Sequence, residues 1–287
     1  EIISKETVLN NVESIKKQVE KIFDGNVEVV NNYDWFKGYE FLDFLRDVGK
    51  YINVNYMLDK DIIRRRLETG ITYAEFSYTL IQGYDFLRLF EDKNCVLQAE
   101  GSDQWGNITT GIDLIRKKTG KEAYGFTMPL VLDKTGKKFG KSEGNALWLD
   151  KNKTSSYELY QYLVNVDDSL VIDYLKIFTF LSREEIEEYE RKNNEHPEAR
   201  EAHIALAREI ITDIRGKDEY LKAKKISDCL FKGDITLLDE DELEDAFKGA
   251  PSFDINVGDK VIDMLINAKI CSSKREAREF ISAGSII

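Results

Sequence analysis

Three cysteines in 287 residues, Cys95, Cys229 and Cys271, are too few and too scattered for a disulfide framework or a zinc site. They read as the reduced thiols of a cytoplasmic protein. Histidine is scarcer still: His196 and His203 are the whole complement, and both are expected on the surface, away from any ligand role. No apolar run reaches the roughly 18 residues that a membrane helix requires, and no secretory signal pattern is visible. The net charge of −12 argues against non-specific DNA binding. It leaves room for an RNA partner that meets a local basic patch. Both ends, Glu1 and the apolar Ser285-Ile286-Ile287, read as cuts from something longer.

What is present is a globular composition, 42% hydrophobic and 33% charged, in a chain long enough for two or three domains. Its most chemically loaded stretch is KTGKKFGKS, residues 134–142. Lys138 and Lys141 are separated by Phe139-Gly140 and followed by the hydroxyl of Ser142. Apolar runs flank the loop, Thr127 to Leu132 before it and Ala146 to Leu149 after it. Glycine lets backbone N–H groups approach a phosphate, and lysine brings a mobile point charge. The GxxxxGK[ST] spacing of a Walker loop is absent. A solvated lysine turn is the plain alternative.

Taken in order, residues 4–23 predict an amphipathic helix capped by Ser4 and stopped by Gly25-Asn26. Val27–Val30 reads as a short strand that ends at Asn31-Asn32-Tyr33-Asp34-Trp35, so Asn32 and Asp34 are either site residues or turn formers. Helices are predicted over 39–50 and 59–69, with Arg64-Arg65-Arg66 a solvated face or a contact for a phosphate backbone. Along 73–90 the helical period sets Tyr78, Gln82 and Asp85 on one polar stripe of an otherwise apolar, buried helix. A phenol, an amide and a carboxylate in that setting need partners. These are either an internal hydrogen-bond network or a small polar ligand. Val96–Gln98 reads as a central strand running into Gly101-Ser102-Asp103-Gln104, with a helix from Ile108 to Lys118. Strand, glycine turn and helix together suit phosphate and ribose. A strand over Thr127–Leu132 leads into the lysine loop.

After Asp150 the pattern is almost wholly helical, with acidic runs at 184–190 and 239–245 expected to be solvated. One helix is expected to begin at His196-Pro197 and continue through Ile214. Beyond Pro251, an apolar helix, a Ser-Ser cap and a helix bearing Lys274, Arg275 and Arg278 form a small unit of RNA-facing shape.

NNYDW (31–35), FLRDVGK (44–50), RLETGI (66–71), EFSYTLIQGYDF (75–86), GSDQWGNIT (101–109), KFGKS (138–142) and WLD (148–150) occur in one order. That order resembles bacterial-type tyrosyl-tRNA synthetase, a class I aminoacyl-tRNA synthetase. SSKREAR (272–278) resembles the start of that family's C-terminal RNA-binding fold. The resemblance implies an α/β, Rossmann-like nucleotide-binding domain over 1–150, incomplete at its N-terminus. An α-helical anticodon-binding-type domain over 151–250 and a short C-terminal helical stub over 251–287 follow. It implies ATP-dependent charging of tRNA(Tyr) with tyrosine, Mg²⁺ arriving with ATP, no tightly bound cofactor, and a homodimer packed near Tyr73.

Residue by residue, the resemblance matches Tyr78 and Gln82 to the substrate's ammonium group and Asp85 to its phenolic hydroxyl. Gln98 matches a supporting glutamine, with Asn32 as further support. Gly101, Asp103 and Gln104 match contacts to the ribose and the substrate. Lys138, Lys141 and Ser142 match a loop that clamps pyrophosphate in the transition state. Departures are the absent His-Ile-Gly-His-like element, the absent early tyrosine and aspartates, Ser156 for proline, and Ala99-Glu100 for an apolar residue and glycine. A 287-residue chain without the first signature is expected not to activate tyrosine by itself. Tryptophanyl-tRNA synthetase, a non-catalytic RNA-binding derivative and an unrelated α/β protein are the alternatives.

Overall fold

The computed structural model describes residues 3–136, 138, 139, 147–250 and 253–285. Helix α1 spans Lys5–Ile22, with the Ser4 hydroxyl accepting from the Thr7 N–H, and it stops where Asp24 and Gly25 turn left-handed. Its apolar stripe covers no core, since Val8 and Ile15 are exposed. Residues 27–30 join no sheet among the described residues, so the strand expected there is absent; Glu28 instead pairs with the Lys93 ammonium at the end of α6. Short helices follow: α2 (Tyr33–Phe36), α3 (Phe41–Asp47), α4 (Val54–Leu58) and α5 (Asp61–Leu67).

Helix α6 (Tyr73–Lys93) opens on a reciprocal capping box between Thr72 and Glu75 and ends with Asn94 left-handed. Strand β1 (Leu97–Gly101), a 3-10 turn over Ser102–Gln104, helix α7 (Trp105–Thr119) and strand β2 (Tyr124–Met128) complete a parallel β-α-β unit. Leu97 pairs with Tyr124 and Gly101 with Met128. Both strands are displaced from their expected bounds: β1 runs later, and β2 begins at Tyr124 and stops before the Pro129 imide, which has no N–H to give a ladder.

Among the described residues the sheet has only these two strands. Side chains alternate across it. Gln98 and Glu100 share a face with Gly125 and Thr127, while Leu97, Tyr124, Phe126 and Met128 are exposed on the other.

Helices α6 and α7 pack closely because glycines line the crossing: a Cβ on Gly111 would lie 2.9 Å from Phe86 Cβ, and one on Gly83 would lie 3.1 Å from Thr110 Cγ2. Strand β2 lies as close to α7, since a Cβ on Gly125 would lie 2.3 Å from Ile108 Cγ2. The core here joins Tyr84, Phe86 and Leu87 to Leu114 and Ile115. The rings of Phe36, Tyr39 and Phe44 surround Tyr84 at 5.3–5.8 Å.

A larger core follows, from α8 (Ser156–Val164), α9 (Val171–Phe178), α10 (Arg183–Glu195), α11 (Glu201–Arg215) and α12 (Lys217–Lys232). The helix expected to run unbroken from His196 is interrupted. Pro197–Ala199 form a 3-10 turn, and Arg200 at φ 50° breaks the path before α11. His203 is also not on the surface: it is completely buried, its Nε2 3.0 Å from the Val166 carbonyl oxygen. His196 is exposed as expected. Helix α13 (Glu240–Ala246) is acidic, yet Glu242 is buried against the Lys225 ammonium rather than solvated. Helices α14 (Val261–Asn267) and α15 (Lys274–Ser282) close the chain, with Ser273 capping α15. No described helix is long and apolar enough to cross a membrane.

Candidate active site

The polar stripe of α6 meets α2 through Asp85, and β1 and the start of α7 through Gln82. Asp85 accepts hydrogen bonds from Trp35 Nε1 at 2.8 Å and Asn32 Nδ2 at 3.2 Å. Burial pushes its carboxyl above the ordinary aspartate value, against the pull of those two donors. One turn earlier, Gln82 is held at both ends of its amide. Its oxygen accepts from Asn107 Nδ2 at 2.9 Å, and its nitrogen donates to Glu100 at 2.9 and 3.1 Å. Tyr78 is 56% exposed, so the stripe is open at that end rather than buried throughout.

Asn107 organises the centre. It is buried at the start of α7, and its oxygen accepts from Thr79 Oγ1 at 2.9 Å. Its two N–H groups go to Gln82 Oε1 and Gln104 Oε1, each at 2.9 Å. Every polar atom of the amide is thereby used, and both glutamines must present their nitrogens outward. Gln104 Nε2 then donates to Asp103 Oδ2 at 3.3 Å, and Lys138 Nζ lies 2.7 Å from the same oxygen. The lysine holds the Asp103 carboxyl below the usual carboxylate range. Gly101 leaves room for this turn, since a Cβ there would meet Asp103 Oδ1 and Leu130 Cδ2 at 2.9 Å. A continuous polar chain thus runs Gln82–Asn107–Gln104–Asp103–Lys138.

Lys138 is fixed from behind. Phe139 donates its backbone N–H to the Val131 carbonyl at 2.9 Å. Its ring lies 5.3–5.8 Å from Tyr162, Tyr174 and Phe178 of the helical core. The base of the lysine loop therefore rests on α8 and α9 while its cation reaches the β1–α7 turn. Lys141 and Ser142 lie outside the described residues. Gln98 points to the α6 side of the sheet and donates to Glu100, and its own oxygen is buried without a partner. Among the described residues no group of three His, Cys, Asp or Glu side chains is placed to hold a metal ion.

The model for class I tRNA synthetases of tryptophan and tyrosine matches residues 1–232. A model for the tyrosine–tRNA ligase C-terminal domain matches residues 242–287. Tyrosine–tRNA ligases of Streptococcus pyogenes serotypes M3 and M12 are each 48% identical over 99% of this chain and 69% of their own length. The chain belongs to the tyrosyl-tRNA synthetase family.

Solved members of the family agree. A C-terminally truncated mitochondrial tyrosyl-tRNA synthetase of Aspergillus nidulans superposes with TM-score 0.67 at 32% identity, covering 80% of this chain and 70% of that one. The Coccidioides posadasii counterpart gives 0.58 at 34% identity, over 68% of this chain and 56% of that one.

Against the family motifs, the structure joins Gln82, Gln98, Asp103, Gln104 and Lys138 around the β1–α7 turn that Gly101 opens, while Asp85, one turn along α6 from Gln82, is joined to Asn32 and Trp35 at α2. Reading by motif passed over three residues that the geometry puts beside them: Trp35, Asn107 and Lys60. Lys60 is buried, with its ammonium on the Gly106 carbonyl and 3.2 Å from Thr109 Oγ1, and burial lowers its pKa. The available signal for Trp35 and Asn107 was that each lies within a stretch matching the family, as NNYDW and GSDQWGN.

Proposed function

We propose that this chain is a tyrosine–tRNA ligase, activating L-tyrosine with ATP to tyrosyl-adenylate and transferring the tyrosine to tRNA(Tyr). The observation that carries the reading is the Asp85 carboxylate, held by Trp35 and Asn32 on the same helix face as Gln82. A fixed, partly buried acceptor matches a phenolic hydroxyl. A substrate without that hydroxyl leaves the acceptor unpaired. An indole offers only one N–H, and the tyrosine-specific C-terminal match also favours tyrosine over tryptophan.

In this reading the tyrosine carboxylate attacks the α-phosphorus of ATP in line and pyrophosphate leaves. The protein supplies positioning and charge neutralisation. Tyr78 and Gln82 hold the substrate's ammonium group, with Gln98 and Asn32 supporting the pocket. Gly101, Asp103 and Gln104 line the ribose side, and Lys138, with Lys141 and Ser142, closes on the departing phosphates. In this scheme Lys138 exchanges Asp103 for phosphate oxygens as charge develops there. Magnesium accompanies ATP, held by phosphate and water rather than by a protein cage. A groove lined by Tyr56, Lys60, Arg65, Arg66 and Trp105 opens beside Asp103, and its exposed arginines, Arg65 and Arg66, offer cations to an RNA backbone.

We further propose domain limits of 1–150, 151–250 and 251–287, a homodimer packed near the exposed Tyr73, and a cytoplasmic location. The test is tyrosine-dependent exchange of pyrophosphate into ATP by the protein at its natural length, with tryptophan and phenylalanine for comparison. Preference for either comparison amino acid overturns the reading. Sedimentation equilibrium checks the dimer.

A further inference from the structure

Glu100 is the residue at which the chain departs from the family pattern inside the site, and the structure turns it away from the lysine loop. On β1 it shares a face with Gln98, toward α6. Its two oxygens accept from Gln82 Nε2 at 2.9 and 3.1 Å, and Gln98 Nε2 donates to one of them. No cation pairs with it among the described residues. A carboxylate with two oxygens offers about four acceptor positions. Two neutral amide donors leave its charge uncompensated and part of its capacity unused. Meanwhile the Gln82 oxygen already accepts from Asn107. The Gln82 oxygen shares its acceptor capacity between Asn107 and any ammonium group it meets, and a second, charged acceptor stands beside it in Glu100.

We propose that Glu100 is a binding residue for the α-ammonium group of the amino-acid substrate, setting specificity for substrates that carry a cationic amine. The inference rests on the tyrosine reading and extends it. Asp85 takes the phenol, and Glu100, beyond Gln82, takes the amine. Gln82 and Gln98 hold the carboxylate in place from two sides. An ammonium brings three donors and a full charge to it, making a charge-assisted hydrogen bond stronger than those from the two neutral amides.

The test is calorimetric titration of the protein at its natural length with L-tyrosine, tyramine and 3-(4-hydroxyphenyl)propanoate. The wild type is expected to bind tyramine at least tenfold more tightly than the propanoate. Glu100→Gln is expected to weaken tyrosine and tyramine about 10- to 100-fold, the scale of a lost charged hydrogen bond, and to leave the propanoate unchanged or tighter. Glu100→Gly gives the same ranking if charge rather than shape decides. Unchanged tyrosine affinity in Glu100→Gln overturns the proposal, as does equal weakening of all three ligands. Should Glu100→Gln fail to fold, the wild-type ranking decides alone, and propanoate tighter than tyramine overturns it. Wild-type protein that binds none of the three sinks the tyrosine reading itself.

Discussion

Trp35 Nε1 donates to Asp85 Oδ1 at 2.8 Å across fifty residues of chain. The bond fixes the carboxylate rotamer and, with Asn32, opposes the burial that raises its pKa. Removing the indole donor leaves the charge with one protein partner. Trp35→Phe is expected to raise the KM for tyrosine about tenfold or more, the scale of a hydrogen bond to a charged group. The KM for ATP should stay within about twofold, the spread expected for a site not touched. Asp85→Asn should go further and narrow the preference for tyrosine over phenylalanine. Steady-state pyrophosphate exchange with each substrate varied in turn reads both effects, and a parallel rise in both KM values would count against this placement.

The Lys138–Asp103 pair is 2.7 Å long, but the two side chains are 43% and 32% exposed. Pairs this open contribute about 0–1 kcal/mol to stability. Lys138→Ala should therefore leave the melting temperature almost unchanged. If the ammonium serves developing phosphate charge, the same variant should lose about 10²- to 10³-fold in the rate of tyrosine activation. Tyrosine affinity at equilibrium should be unaffected. A large drop in melting temperature, or an intact rate, would show that the ion pair exists for the fold.

Much of this site was legible because helical periodicity is strict. Tyr78, Gln82 and Asp85 had to share a face of α6, and they do. The glycine turn after β1 was legible for a similar reason, since Gly101 precedes a helix start and tolerates no Cβ. Long-range pairings were not legible. Nothing local in the sequence says that Trp35 reaches Asp85 or that Glu100 turns toward Gln82. Strand bounds failed where pairing rather than β-propensity decides them. Val27–Val30 has the right residues but no strand beside it among the described residues, so no ladder forms. His203 was misjudged because a polar residue in a charged helix is usually solvated, and only tertiary packing of α11 buries it.

Gly111 sets the distance between α6 and α7, and through it the position of Asn107 one turn earlier. A methyl group there would meet Phe86 Cβ and Cδ1 at 2.9 Å, and Phe86 is 1% exposed with no room to swing aside. Gly111→Ala is expected to destabilise the protein by about 1–3 kcal/mol, the usual cost of overpacking a filled core. It should also weaken tyrosine binding, because Asn107 would no longer meet Gln82 and Gln104 together. Chemical denaturation and tyrosine titration on one preparation test both. Unchanged stability would mean that the helices part without strain.

His203 gives the helical core a calculable response to acid. Its Nε2 faces the Val166 carbonyl at 3.0 Å and Asp168 at 3.1 Å, and its Nδ1 is buried without a partner. Burial first, and then the neighbouring Arg200 cation, push its pKa below the ordinary 6.5, outweighing the opposing pull of Val166, Asp168 and Asp167. Between that lowered value and 6.5, the unfolded chain binds a proton that the folded chain refuses. The stabilisation is therefore complete above about pH 6.5 and is lost as pH falls toward the folded value. The melting temperature is therefore expected to fall between pH 7 and pH 5. His203→Gln keeps a donor for Val166 but cannot titrate, so its melting temperature should fall less over the same interval. Equal slopes in the two proteins would mean that the imidazole takes up its proton without cost to the fold.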